Sequence, residues 1–119
     1  MSDKFKNCFA DHATGFQYPI TLNGEKFATA RTLTPMAQVA IRRDLGITLR
    51  DMAENPEQID PIAYMIVMIS HALIEWEHDL PITIANVDLL TTDALKEIYN
   101  QILEHESAIL ETAEDNEKN

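Results

Sequence analysis

The stretch at residues 60–78, DPIAYMIVMISHALIEWEH, decides the fold. Asp60 and Pro61 form a helix start, because Asp caps free backbone N–H groups and Pro lacks only an N–H that would stay unbonded there. Apolar residues then follow steps of four and three along one stripe, at Ile62, Ile66, Ile69, Leu73 and Trp76. Other apolar residues widen this surface almost around the circumference, which is typical of a core helix. The pattern predicts one continuous helix that passes Trp76 and is broken by Pro81.

Residues 16–31, before this helix, predict a β-hairpin. Apolar side chains alternate with polar or turn residues at Phe16, Tyr18, Ile20 and Leu22. Asn23-Gly24 follows, and both residues tolerate the positive φ angles of a tight hairpin turn. A two-stranded ribbon is marginal alone, so we expect it to pack on helices or to pair with another chain through an open edge.

Capping residues and apolar periodicity predict three further helices, over residues 35–45, 48–54 and 93–110. The predicted fold class is mainly α (α+β), with an N-terminal β-hairpin followed by a small helical domain of about four helices. The predicted organisation is a flexible N-terminal arm at 1–15, a single globular domain at 16–110 and a disordered acidic tail at 111–119. The predicted core residues are Phe16, Ile20, Leu22, Val39, Ile62, Ile66, Ile69, Leu73, Trp76, Leu95, Ile98, Ile102 and Leu103.

Composition and charge exclude several classes of function. The chain has 119 residues and a formal net charge of −11, so it can form one modest core and carries an acidic surface. Counting Lys and Arg against Asp and Glu gives +3 for residues 1–50 and −14 for residues 51–119. An acidic surface repels phosphate backbones, so we predict no nucleic-acid binding.

Three features indicate a cytoplasmic location. The longest uninterrupted apolar run covers only residues 62–69, whereas about 20 apolar residues are needed to cross a bilayer. The N-terminal residues lack the basic and then apolar layout of a signal peptide. The single cysteine, Cys8, fits a reducing compartment. We therefore predict no membrane association.

The cluster SHALIEWEHD at residues 70–79 suggests chemistry. On a helix, His71, Glu75 and His78 would share one face at i, i+4 and i+7, and imidazole and carboxylate groups are zinc ligands. The spacing is not that of HExxH, however, and no cysteine or further histidine nearby completes a known pattern. We interpret the cluster as the polar end of a packed helix and predict no metal ligands.

Other chemical signatures are also weak. No nucleophile is paired with a base in a known motif, and three glycines leave no phosphate-binding loop. We therefore predict no catalytic residues and no cofactor, and a protein that is not an enzyme. Arg42, Arg43 and Arg50 lie on two capped helices that could form a helix–turn–helix, but three arginines are a poor electrostatic footprint in so acidic a chain.

Protein binding is the remaining class, and three residues are candidates for it. Trp76 continues the stripe of the central helix, yet a tryptophan edge left exposed is a frequent interface hot spot. Met36 and Met52 could provide an adaptable surface for amphipathic segments, because the methionine side chain is flexible and polarizable. We take these three residues as candidate protein-binding residues.

The order of motifs resembles a known family. YPITLNGEKFATARTLTP at the hairpin, the tryptophan at the end of DPIAYMIVMISHALIEWEH, LPIT and the NVDLL segment occur in this sequence before the closing helix. This arrangement resembles the tail assembly chaperones of long-tailed bacteriophages, which are small acidic proteins. The similarity covers residues 16–110.

The resemblance implies a mainly helical interaction protein without catalytic residues. In that family the chaperone is thought to bind the long, helical, aggregation-prone tape measure protein before tail tube subunits assemble around it. The tape measure protein is therefore the expected partner, with the tail tube protein as a second candidate. The resemblance also implies self-association, host cytoplasm as the location, and absence from the mature virion.

Two alternatives follow from the residues themselves. An acidic inhibitor or antitoxin-like protein could neutralise a basic partner, and a small enzyme could use the histidine cluster. The expected open hairpin edge and the apolar central helix favour a homo-oligomer that recruits a helical client through an apolar groove.

Overall fold

A computed structural model describes the backbone of residues 16–118 and the side chains of residues 16–108. It contains an antiparallel sheet and five α-helices, and this confirms the predicted α+β class with its N-terminal hairpin. The strands are β1 (Gln17–Leu22), β2 (Glu25–Arg31) and β3 (Leu73–Trp76). The helices are α1 (Pro35–Leu45), α2 (Leu49–Glu54), α3 (Pro61–Ala72), α4 (Ile84–Val87) and α5 (Thr92–Lys118), with a short 3-10 turn at Pro56–Gln58. The predicted N-terminal arm lies outside the described residues.

The hairpin forms as predicted around its Asn-Gly turn. Asn23 has a φ of 55° and Gly24 a φ of 81°, and these left-handed conformations match the twist of the two flanking strands. The register pairs Ile20 with Ala28 and Thr21 with Lys26, so the pairing skips Phe27. Phe27 is therefore the extra residue of a β-bulge, a feature that redirects a side chain.

The predicted continuous central helix is wrong after Ala72. The backbone turns extended at Leu73, with a φ of −76° and a ψ of 135°, and the next residues pair with β2 as a third strand. The Glu77 N–H donates a hydrogen bond of 2.8 Å to the Phe27 carbonyl and extends this pairing. Leu73 and Trp76 suit a strand as well as a helix, and the free edge of β2 supplies backbone partners that decide between them.

Capping residues set the helix starts as predicted. The side chains of Thr34 and Asp60 accept hydrogen bonds from backbone N–H groups in the first turns of α1 and α3. Thr48 and Asp51 form a reciprocal capping box at α2. Gly46 ends α1 in a left-handed conformation, with a φ of 68°.

The last helix is longer than predicted. It continues through Lys118 rather than ending near residue 110, so residues 111–118, predicted as a disordered tail, are helical. The sequence from Thr92 to Lys118 contains neither Gly nor Pro and is rich in Glu, Ala and Leu, so no residue type in it breaks a helix. The high charge of this segment led to the wrong prediction.

The core lies where the sheet meets the helices: α5 packs against β1, and α3 packs against α1, α4 and α5. Burial confirms seven of the predicted core residues: Ile20, Ile66, Ile69, Leu73, Leu95, Ile98 and Ile102. Phe16, Leu22 and Trp76 are only half-buried. The remaining three predictions are wrong, because these side chains are exposed: Val39, Ile62 and Leu103.

Helix geometry explains two of these errors. Helix α1 buries Ala37 and Ile41, four residues apart, and Val39 lies on another face. Helix α5 likewise buries Ile98 and Ile102, which leaves the adjacent Leu103 turned away by about 100°.

Replacing Ile69 by Ala should lower the free energy of unfolding by about 2–5 kcal/mol, because Ile69 is fully buried in α3 and the change leaves a cavity. Ile62→Ala is the matched control in the same helix and should cost less than about 1 kcal/mol, because Ile62 is exposed. Urea denaturation of both variants measures the difference. Equal losses of unfolding free energy in the two variants would contradict this packing of α3.

Candidate functional site

The predicted histidine cluster does not form a shared face, because α3 ends before Glu75. His71 Nε2 lies 2.6 Å from Asp44 Oδ2, at the end of α1. Glu75 Oε1 accepts a hydrogen bond of 2.9 Å from the Thr29 hydroxyl on β2. His78 Nδ1 accepts a bond from a backbone N–H in its own loop. Within the described part of the chain, no three His, Cys, Asp or Glu side chains converge to hold a metal ion.

Two of the three arginines on α1 and α2, where the sequence argued against a helix–turn–helix, lie beside carboxylates. Arg50 Nε donates a hydrogen bond of 2.9 Å to Glu54, one turn further along α2. Arg43 lies 3.8 Å from Asp44. These carboxylates would repel a phosphate backbone at the same surface. The charges on α1 and α2 therefore do not support DNA binding by this helix pair.

The three predicted protein-binding residues lie in different elements. Met36 is in the first turn of α1 and is 73% exposed. Met52 is half-buried in α2, and Trp76 is half-buried at the end of β3. Of these, Trp76 lines an apolar cleft, which makes it the centre of the candidate site.

We name this cleft the Trp76 cleft. Its volume is about 110 Å³, and it is lined by Phe27, Trp76, His78, Leu80, Asn86, Leu89 and Leu90. Leu89 is 71% exposed at the mouth, and Leu80 is 41% exposed. Of the lining residues, the sequence singled out Trp76 as a binding candidate and His78 only as part of the histidine cluster. It missed the others, although the bulge that turns Phe27 toward the tryptophan belongs to the predicted hairpin.

The walls of the Trp76 cleft are held by hydrogen bonds. The Trp76 indole N–H donates to the Leu80 carbonyl at 2.7 Å, and the Leu80 N–H donates to His78 Nδ1 at 3.0 Å. Asn86 donates to the Pro81 carbonyl at 2.8 Å and joins the loop to α4. The ring centroids of Phe27 and Trp76 lie 6.2 Å apart. Because the indole N–H is already bonded, the ring offers the cleft an apolar surface.

Carboxylates lie next to this apolar surface. A shallow depression beside the Trp76 cleft is lined by Trp76, Glu77, His78 and Asp79. Glu77 and Asp79 are exposed, and neither has an ion-pair partner among residues 16–108. Trp76 and His78 line both sites, so they lie between the apolar Trp76 cleft and the acidic depression.

A second polar cluster fastens α5 to the sheet. The Tyr18 and His105 rings stack with centroids 3.7 Å apart, and His105 Nε2 lies 3.1 Å from the hydroxyl of buried Thr32. Glu106 accepts a hydrogen bond of 2.9 Å from the Leu33 N–H. We name these side chains the Tyr18–His105 cluster: Tyr18, Thr32, His105 and Glu106.

Burial governs the protonation of this cluster. It raises the pKa of Tyr18 well above its usual range, and the nearby Glu106 carboxylate raises it further, so the phenol stays protonated. Burial lowers the pKa of His105, which favours the neutral ring. Burial also raises the pKa of Glu106, against the smaller opposing effect of the Leu33 N–H. The cluster is suited to holding α5 in place.

Side chains of α5 also cover the edge of β1. The Gln101 amide donates a hydrogen bond of 2.8 Å to the Thr21 carbonyl and accepts one of 2.9 Å from the Thr21 N–H. Pro19 removes another donor from the same strand. This edge of the sheet is therefore protected against pairing with another chain.

Comparisons with known proteins identify no relative: no family model, no curated protein and no solved structure matches the chain. The likeness to tail assembly chaperones therefore stays a prediction from motif order. Across residues 16–118, none of the helices combines the length and the apolar character needed to cross a membrane.

Replacing Glu106 by Gln should raise stability at pH 7, because Gln keeps the acceptor for the Leu33 N–H without a half-buried charge. A raised folded-state pKa means that ionisation of Glu106 opposes folding above that pKa. The gain in stability should shrink as the pH falls below the raised pKa and be largely gone at pH 4, where the parent carboxyl is mostly protonated in both states.

Glu104→Gln is the control, since it removes the same charge from an exposed position on α5. Denaturant unfolding at pH 7 and pH 4 should show the pH-dependent gain in Glu106→Gln alone. A Glu106→Gln variant less stable than its parent at pH 7 would contradict this account of the cluster.

Proposed function

We propose that the chain is a phage tail assembly chaperone that binds the tape measure protein and keeps it soluble while the tail tube assembles. The Trp76 cleft is the observation that carries this proposal, because it offers a fixed apolar surface outside the core. The sequence resemblance described above supplies the identity of the client. The proposed location is the host cytoplasm, with the protein absent from the mature virion.

The geometry suits a chaperone because a cleft of this size would make only small contacts with a client. Leu80 and Leu89 flank the mouth of the cleft, so a client side chain that enters would bury them further. Each such contact contributes a modest free energy through loss of apolar surface from water. Many copies along a long client would then shield it without holding any single segment tightly.

Self-association is proposed through the helices rather than through the hairpin. Strand β3 fills the second edge of β2, and Gln101 covers the edge of β1. Strand β3 itself is short, and its pairing skips Ile74, so a bulge also interrupts this edge. Exposed Met36 and Val39 on α1 offer an apolar surface for a second copy.

An acidic inhibitor or antitoxin-like protein is the second candidate function. The carboxylates of Glu77 and Asp79, which have no ion-pair partner within residues 16–108, favour it, since they could meet a basic protein. This function predicts binding that depends on charge and weakens steeply with salt. The chaperone function predicts binding that depends on the Trp76 cleft and survives moderate salt.

The test is co-purification of the protein with segments of tape measure protein over a salt series. Leu89→Ser should weaken binding about tenfold, because Leu89 lines the cleft and is exposed in the free protein. Leu49→Ser is the matched control, since Leu49 is 65% exposed on α2, away from the cleft, and should leave binding unchanged.

Two outcomes would contradict the proposal. One is a parent protein that retains no tape measure segment under any salt condition. The other is salt-sensitive binding to a basic protein that is indifferent to Leu89→Ser, which would favour the inhibitor.

A further inference from the structure

The Trp76 cleft has room for one side chain. Its volume is about 110 Å³, and an apolar cavity of about 150 Å³ is enough to hold benzene. An amphipathic helix that docks in a groove uses several anchors, at i, i+3, i+4 and i+7. The Trp76 cleft is smaller than that cavity but open at its mouth, so it accepts one bulky apolar side chain that enters in part, and not several anchors.

The charges beside the cleft specify what should flank that anchor. Glu77 and Asp79 line the depression that shares Trp76 and His78 with the cleft, and both carboxylates are exposed. No described Lys or Arg compensates either of them, whereas Glu75 lies 4.0 Å from Lys26 Nζ. A cation placed there would gain two carboxylates without displacing an existing partner.

We propose that the Trp76 cleft binds a cationic protein segment in which one bulky apolar residue is flanked by Lys or Arg. The apolar side chain enters between Phe27, Trp76 and Leu89, and the flanking cation lies against Glu77 and Asp79. This inference rests on the proposed function and narrows it, because it defines which segments of a client are captured.

The bound segment does not join the sheet. The edge of β3 is short and is interrupted at Ile74, so it offers few regularly spaced backbone groups. Recognition therefore depends on side chains: one apolar contact for affinity, and charge for selecting the segment.

Trp76 is the only tryptophan in the chain, so its fluorescence reports directly on this cleft. Three peptides of equal length serve as probes, with Lys-Phe-Lys, Glu-Phe-Glu or Lys-Ala-Lys at the centre and Gly and Ser elsewhere. The Lys-Phe-Lys peptide should change the Trp76 emission and bind at least about tenfold more tightly than Glu-Phe-Glu at low salt. The difference in affinity between these two peptides should fall as salt is added. The Lys-Ala-Lys peptide should leave the Trp76 emission unchanged.

Protein variants separate this charge effect from general attraction to an acidic protein. The double variant Glu77→Gln/Asp79→Asn should lose most of its preference for Lys-Phe-Lys over Glu-Phe-Glu. The control Glu57→Gln/Glu104→Gln removes the same net charge at exposed positions elsewhere and should keep that preference. Leu89→Ser should weaken binding of the Lys-Phe-Lys peptide about tenfold.

The outcomes distinguish this inference from the proposed function. Equal affinity for Lys-Phe-Lys and Glu-Phe-Glu, or equal effects of the two double variants, would overturn the inference. Tape measure segments that bind through Leu89 without any preference for cations would do the same, while leaving the chaperone function intact. Selective binding of Lys-Phe-Lys in a protein that retains no tape measure segment would support the inference and refute the proposed client.

Discussion

The pairing of β3 with β2 is the interaction on which the rest of the structure depends. It ends α3 at Ala72, completes a three-stranded sheet and brings Trp76 beside the bulged Phe27. A helix continued through this segment would instead leave the second edge of β2 unpaired and carry Trp76 along the axis of α3. The Trp76 cleft therefore exists because backbone hydrogen bonding to β2 outweighs the helical spacing of Leu73 and Trp76.

The same pairing limits how the molecule can meet other chains. Both outer strands of the sheet are unsuited to strand addition: Pro19 and the Gln101 amide protect β1, and a bulge at Ile74 interrupts β3. Contacts with partners must then be made by side chains. Around Trp76 these side chains combine an apolar surface with carboxylates that lack ion-pair partners among residues 16–108, which favours cationic, apolar segments over strand-like ones.

Local signals in the sequence predicted much of the fold. Asn23-Gly24 fixed the hairpin, and the capping residues before Pro35 and Pro61 fixed two helix starts, because each acts on its own neighbours. The third strand was missed because the three-residue spacing of Leu73 and Trp76 fits a helix, and it fits a strand only with the bulge at Ile74. The pairing partner, β2, also lies far away in sequence. The end of α5 was misplaced because high charge was taken as disorder, although nothing in that segment breaks a helix.

The candidate site was predicted only in part, for the same reason. Residue type singled out Trp76, and His78 and Leu80 lie close to it in the loop after β3. The other walls come from the hairpin, from α4 and from the turn after it, and only the fold brings these elements to Trp76. Met36 and Met52 were chosen by residue type alone and lie in other elements.

Residue-resolved hydrogen exchange, with and without a bound tape measure segment, tests this account most directly. In the free protein the Glu77 amide should exchange slowly, because it donates to the Phe27 carbonyl. Bound client should add protection at residues 77–80 and 89–90, around the Trp76 cleft, and leave β1 unchanged. A Glu77 amide that exchanges as fast as an exposed one, or client protection confined to surfaces away from Trp76, would contradict it.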